Sequence, residues 1–157
     1  MRTSLLPIFI LFVFWIIQSN CNNQLPKSSD KPVIHLDTVL IQRYVIPSSI
    51  RAIEAVDDQT CWYAGSKGKY GFTTDGGDSW NIDSLVHPEH GPLHFRSIAV
   101  TKDAVHILSI GSPALLYRST DMGANWNLVY QENDSLAFYD AMTFWDDKNG
   151  IAMGDPT

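Results

Sequence analysis

One short phrase is written twice in this chain, and it limits the possible folds more than any other feature. Thr73-Thr74-Asp75-Gly76-Gly77-Asp78-Ser79-Trp80 and Ser119-Thr120-Asp121-Met122-Gly123-Ala124-Asn125-Trp126 share the pattern Ser/Thr-x-Asp-x-Gly-x-x-Trp. The two aspartates are separated by about 45 residues, the length of one supersecondary unit in a propeller or solenoid. The pattern has a mechanical reading. Asp closes a tight turn by accepting backbone N–H bonds, Gly supplies a positive φ, and Trp leaves the turn as a large apolar anchor. Thr73, Asp75, Gly77 and Trp80, with Ser119, Asp121, Gly123 and Trp126, are therefore expected to be structural and to take no part in chemistry.

The repetition extends beyond these turns. Ile50-Arg51-Ala52-Ile53, Phe95-Arg96-Ser97-Ile98 and Tyr139-Asp140-Ala141-Met142 open successive units. Each opener leads into an apolar run, a polar turn and a second run ending near glycine. A third run enters the repeated turn, and a fourth begins at Trp80 or Trp126. Four short strands per unit, with no helical periodicity beyond the extreme N-terminus, predict an all-β propeller of four-stranded antiparallel blades. The boundaries are residues 50–94 for a first blade, 95–138 for a second and 139–157 for an incomplete third. A β-rich segment, 33–49, precedes them and is expected to close a last blade. A closed propeller needs at least about four blades, so the chain reads as the N-terminal part of a longer protein. Closure by oligomerisation is the alternative.

Residues 1–20 have the form of an export signal: Arg2, an apolar run from Leu5 to Ile17, then a polar break. Cys21 stands where a bacterial lipoprotein cysteine stands, and residues 22–32 are polar and punctuated by Pro26 and Pro32, as a tether would be. The expected location is the cell envelope, held by a lipid anchor at Cys21. Simple cleavage and secretion, or an uncleaved anchor, are the alternatives. Cys61 is expected to be an inert strand thiol.

A net charge of −6 with no basic stripe argues against nucleic acid as a partner. Gly65-Ser66-Lys67-Gly68-Lys69-Tyr70-Gly71 is glycine-rich but lacks dinucleotide spacing and a βαβ context, so it reads as a turn, and no cofactor is expected. His87, Glu89, His90 and His94 lie in a loop broken by Pro88, Gly91 and Pro92, which reads as solvated rather than metal-binding.

At the repeated turns the chain resembles the BNR, or Asp-box, propellers of sialidase type. Across whole units, with Phe138 to Trp145 and Gly150 to Pro156 as the most specific stretch, it resembles the bacterial photosystem II stability/assembly-factor-like propellers. That resemblance implies a seven-bladed exported propeller, of which this chain holds about the first third. Sialidases carry an arginine in a Phe/Tyr-Arg-Ile-Pro motif; here Tyr44-Val45-Ile46-Pro47 has valine. The resemblance thus favours a binding or assembly scaffold. A sialidase-like glycoside hydrolase, with its catalytic residues further along a longer chain, is the competing class.

Arg51, Arg96 and Asp140 hold equivalent positions at the start of the innermost strands, so they are expected to converge at the channel mouth. Asp155 and the lysines Lys67 and Lys69 would border them. Paired guanidiniums suit a planar anion. The expected ligand is a protein or an anionic or glycan group at this face, with the Asp boxes on the opposite one. No catalytic constellation is present in these units.

Overall fold

The computed structural model describes Ile41 and residues 43–155. The expected signal segment, Cys21, the tether and residues 33–40 lie outside the described residues. Among the described residues no helix is long and apolar enough to cross a membrane.

The first sheet contains β1 (Ile50–Ala55), β2 (Cys61–Gly65), β3 (Lys69–Thr73) and β4 (Asn81–Ser84), paired in chain order. A two-stranded ribbon follows, β5 (Val86–His87) with β6 (Gly91–Pro92). The second sheet contains β7 (Phe95–Val100), β8 (Val105–Ser109), β9 (Ala114–Ser119) and β10 (Asn127–Glu132), again in chain order. A third begins with β11 (Tyr139–Phe144) and β12 (Gly150–Gly154). All neighbours are antiparallel. The first strands pack side by side, β1 against β7 and β7 against β11, as blades do around an axis. The protein is a partial β-propeller of four-stranded blades.

Blade 2 shows why the sequence lacks simple polar alternation. Its first three strands are covered on both faces, so β7, β8 and β9 are buried along most of their length, whereas the outermost strand, β10, is exposed. Side chains alternate along a strand, and the alternation divides them between two neighbours. Phe95, Ile98, Val105, Ile107, Leu115 and Tyr117 join Trp62 and Tyr70 of blade 1 in one core cluster. Ala99 and Leu108 join Met142 of blade 3 in another. His106 lies on that second face, 4% exposed, with its ring stacked on Phe144 at 4.3 Å. Burial, followed by the Arg118 charge, pushes its pKa down, so the ring is held neutral. The outermost strand of blade 1, β4, is exposed along its whole length.

Two segments flank the first sheet. Residues 43–49 form no strand. Instead the Tyr44 hydroxyl donates to the Gly77 carbonyl and the Ser48 hydroxyl donates to the Ser66 carbonyl at 2.6 Å. The segment therefore crosses blade 1 from one end to the other, tied by side chains, and Pro47 has no N–H for a ladder. The segment after blade 1 is a short, largely exposed ribbon: Val86 pairs with Pro92 and His87 with Gly91. There the His87 Nδ1 accepts from the backbone N–H groups of Glu89 and His90, and the His87 and His90 rings stack at 4.5 Å.

The two Asp-box turns repeat each other bond for bond. Thr73 Oγ1 donates to Asp75 Oδ1 at 2.7 Å and accepts from the Gly77 N–H at 2.9 Å. Ser119 makes the same pair of bonds, to Asp121 at 2.8 Å and from Gly123 at 2.9 Å. The aspartate then accepts the N–H and side chain of the residue four further on, Ser79 in one turn and Asn125 in the other. These bonds favour the ionised form. They pull Asp75 from 3.8 to about 2, the Ser79 side chain contributing most, and pull Asp121 down through Asn125.

A carboxyl with a depressed folded-state pKa stabilises the fold fully above its unfolded value and loses that contribution as pH falls through its folded value. Asp75→Asn is therefore expected to lower the unfolding midpoint relative to the parent at pH 7. The gap should close between 3.8 and about 2. Thermal melts at stepped pH measure this, and a gap independent of pH would contradict the assignment.

Candidate functional site at the open ends of the inner strands

Each blade breaks its strand ladder at the same place. In β1 the register with β2 shifts between Ile50 and Ala52, leaving Arg51 as the extra residue. In β7 it shifts between Phe95 and Ser97, leaving Arg96. In β11 it shifts between Tyr139 and Ala141, leaving Asp140. A β-bulge releases one residue from the ladder and re-aims its side chain, a device concentrated at barrel rims and next to sites. The three residues that open the repeats are thus bulged residues.

The chain packs closely where the bulges form. The N–H of Ser66 donates to the Ser49 carbonyl at 2.9 Å, that of Ile110 to His94 at 2.9 Å and that of Asp155 to Phe138 at 3.0 Å. A Cβ on Gly65 would strike the Ser49 carbonyl oxygen and one on Gly154 would strike that of Phe138, so these two positions exclude side chains. The strand register places this end opposite the box turns. Ile50 pairs with Gly65 at one end of β1, whereas Ala55 meets Cys61, which pairs with Thr73 at the box.

Arg96 and Asp140 come together across blades 2 and 3, with Nε 2.9 Å from Oδ1 and both side chains more than a third exposed. The pair is an ion contact whose alignment is not that of a hydrogen bond. The guanidinium carbon of Arg96 also lies 5.5 Å from the centre of the Phe138 ring, within cation–π range. Among the described residues no hydrogen bond engages the Arg96 fork. Arg51 is tied instead to its own blade, Nε donating to Ser66 Oγ at 3.1 Å. Lys67, with φ 60°, lies in the tight turn after Ser66, and Lys69 opens β3 beside it. Asp155 is exposed next to the Asp140 strand.

This end of the blades therefore offers guanidiniums, lysines, carboxylates and a ring. This is equipment for recognising an anionic group by charge and planar stacking. Sequence reasoning missed Ser66 and Phe138. Phe138 had a readable signal, since an aromatic stands directly before an opener; Ser66 had none beyond its glycine-rich turn. Cys61 sits half-buried at the start of β2, its pKa raised by burial and then by Glu54, which keeps the thiol protonated.

Comparison with known proteins bears on the fold that carries these residues. An uncharacterised protein, UU166, of Ureaplasma parvum serovar 3 is 28% identical over 60 residues, 38% of this chain and 6% of that protein. Among solved structures, YCF48 bound to a D1 peptide superposes with a TM-score of 0.57 at 20% identity, over 68% of this chain and 34% of that one. YCF48 from Cyanidioschyzon merolae gives 0.54 at 18% identity, over 69% and 32%. The chain spans about a third of the length of these solved propellers. Residues 40–136 match the family described as photosynthesis system II assembly factor YCF48, a span covering the first two blades and most of the chain that the structure describes. On that match, and on the blade repeat that underlies it, the chain belongs to the YCF48 family of photosystem II assembly-factor propellers.

Proposed function

We propose that this chain belongs to a binding or assembly scaffold that takes a protein partner at the bulged ends of its inner strands. The observation that carries the reading is Arg96. It is bulged out of its ladder, lies within cation–π range of Phe138, and pairs with Asp140 through Nε, leaving its two terminal nitrogens to face a ligand. A peptide carboxylate fits such a fork in bidentate fashion, and Arg51, Lys67 and Lys69 extend the attraction along the arc. The solved relative that holds a D1 peptide supports a peptide as the ligand class.

The test is binding of that D1 peptide to the protein and to its Arg96→Ala variant. Loss of charged hydrogen bonds predicts a loss of about tenfold or more in affinity, with an unchanged melting temperature. Equal affinity of the two proteins would remove Arg96 from the site. Export and lipid attachment at Cys21 complete the proposal, resting on the apolar run that ends at Ile17 shortly before that cysteine and on the polar segment that follows it. Cys21→Ala should move the protein from the membrane fraction to the soluble fraction, or leave an unprocessed precursor. Unchanged membrane retention with normal cleavage would refute the anchor.

A further inference from the structure

The opposite end of the blades carries a second kind of surface. Between blades 1 and 2, at the Asp-box end, lies an open cleft of about 280 Å³ with Trp62, Val100 and Val105 in its lining, and Val56 and Met122 at its exposed edge. A smaller cleft, of about 210 Å³, follows between blades 2 and 3. It shares Val100 and Lys102 with the first and is edged by Trp145, 68% exposed. The first cleft is smaller than the roughly 300–1,000 Å³ of typical small-molecule sites, and suits one large apolar side chain.

Charge is distributed very unevenly around these clefts. The three inner turns at this end carry Asp57-Asp58, Asp103 and Asp146-Asp147, all exposed, against Lys102 and Lys148. The box aspartates add to the same end. Asp57 and Asp146 are held ionised by hydrogen bonds within their turns, Asp57 chiefly by the N–H of Gln59 and Asp146 chiefly by the Asn149 side chain. An acidic rim repels nucleic acid and anionic glycans and attracts cations.

Met122 supplies an observation independent of charge. It has φ 58°, in the left-handed region, where the sister turn has Gly76 at φ 70°. A non-glycine residue there costs stability, and such strain collects at functional positions. Here it places a thioether, soft and adaptable, at the cleft edge with 48% exposure. The other repeat shows that glycine serves the turn.

We propose that the Asp-box face docks a basic protein segment that inserts one large apolar side chain into the cleft between blades 1 and 2, with lysines or arginines on the acidic turns. The surface is distinct from the carboxylate-recognising mouth at the other end, so one scaffold would hold two partners of opposite charge.

A labelled, end-blocked peptide of four lysines flanking one tryptophan is the probe, followed by fluorescence anisotropy on the full chain. Binding is expected to weaken at least tenfold between about 50 and 300 mM salt, as screening requires. Replacing the probe's tryptophan by serine, or its lysines by glutamate, should each abolish it. Met122→Gly should weaken binding at least fivefold while melting no lower than the parent. Asp103→Lys should weaken it tenfold, and Arg96→Ala should leave it unchanged. The proposal is overturned if Met122→Gly binds as the parent does, or if the serine probe binds equally well, which would mean diffuse charge alone. It is also overturned if the protein sediments as a dimer that Asp103→Lys dissociates, since the occupant would then be a second copy.

Discussion

Trp62→Ala should lower the stability of the folded chain by about 3–5 kcal/mol, the range for truncating a buried aromatic side chain. Trp62 is 1% exposed and stacks on Phe72 with ring centres 4.5 Å apart. Its far edge reaches the Asp-box turn of blade 2, where a Cβ on Gly123 would lie 3.5 Å away. The side chain therefore ties together two strands of one blade and the hairpin of the next. Removing it opens a cavity between sheets whose backbones are fixed by their own ladders, so the site cannot collapse to fill the space. Denaturant unfolding followed by tyrosine and tryptophan emission measures the loss. A change below about 1 kcal/mol would mean that blades 1 and 2 are held by something other than this core.

Ser97→Ala should cost about 1–3 kcal/mol by leaving a buried backbone N–H and carbonyl without partners. The Ser97 hydroxyl accepts from the Met142 N–H at 2.8 Å and donates to the Met142 carbonyl at 3.3 Å. Ser97 is 7% exposed and Met142 8%, so water does not readily replace the lost oxygen. This hydroxyl stitches blade 3 to blade 2 at the centre of the inner strand. Limited proteolysis should accordingly cut the variant faster within residues 139–154, with blades 1 and 2 unaffected. Uniform loss of protection over the whole chain would argue against a local stitch.

The architecture was legible because a repeat states its own period. The three openers coincide with the starts of β1, β7 and β11, and the glycine-rich Gly65–Gly71 segment holds the turn between β2 and β3. The equivalence of Arg51, Arg96 and Asp140 was legible and their geometry was opaque. The repeat puts the three at matching positions, but no residue type in β1, β7 or β11 announces a bulge. A bulge arises from a mismatch of register between the two strands of a hairpin, which the residue types of one strand do not reveal. Pairing was opaque for the same reason. The sequence places Arg51 and Arg96 as twins, yet one is tied to Ser66 of its own blade and the other reaches across to Asp140. In residues 43–49 the ties are side-chain hydrogen bonds to Gly77 and Ser66, which no strand propensity signals. The acidic clefts escaped notice because each turn contributes one or two ordinary aspartates, which become a field only when three blades are stacked.

The bulges at Arg51, Arg96 and Asp140 also separate two properties that most strands keep together. A residue inside a ladder answers to its pairing and packing partners, so changing it to alter binding also alters folding. A bulged residue stands outside the ladder. The blade beneath remains intact whether it carries a guanidinium, as in the first two units, or a carboxylate, as in the third. Each described blade thus presents one interchangeable character at the open end of its inner strand, and together they read as a short word spelled from blade to blade. Such a scaffold can acquire a new ligand by respelling that word while the propeller that displays it stays the same.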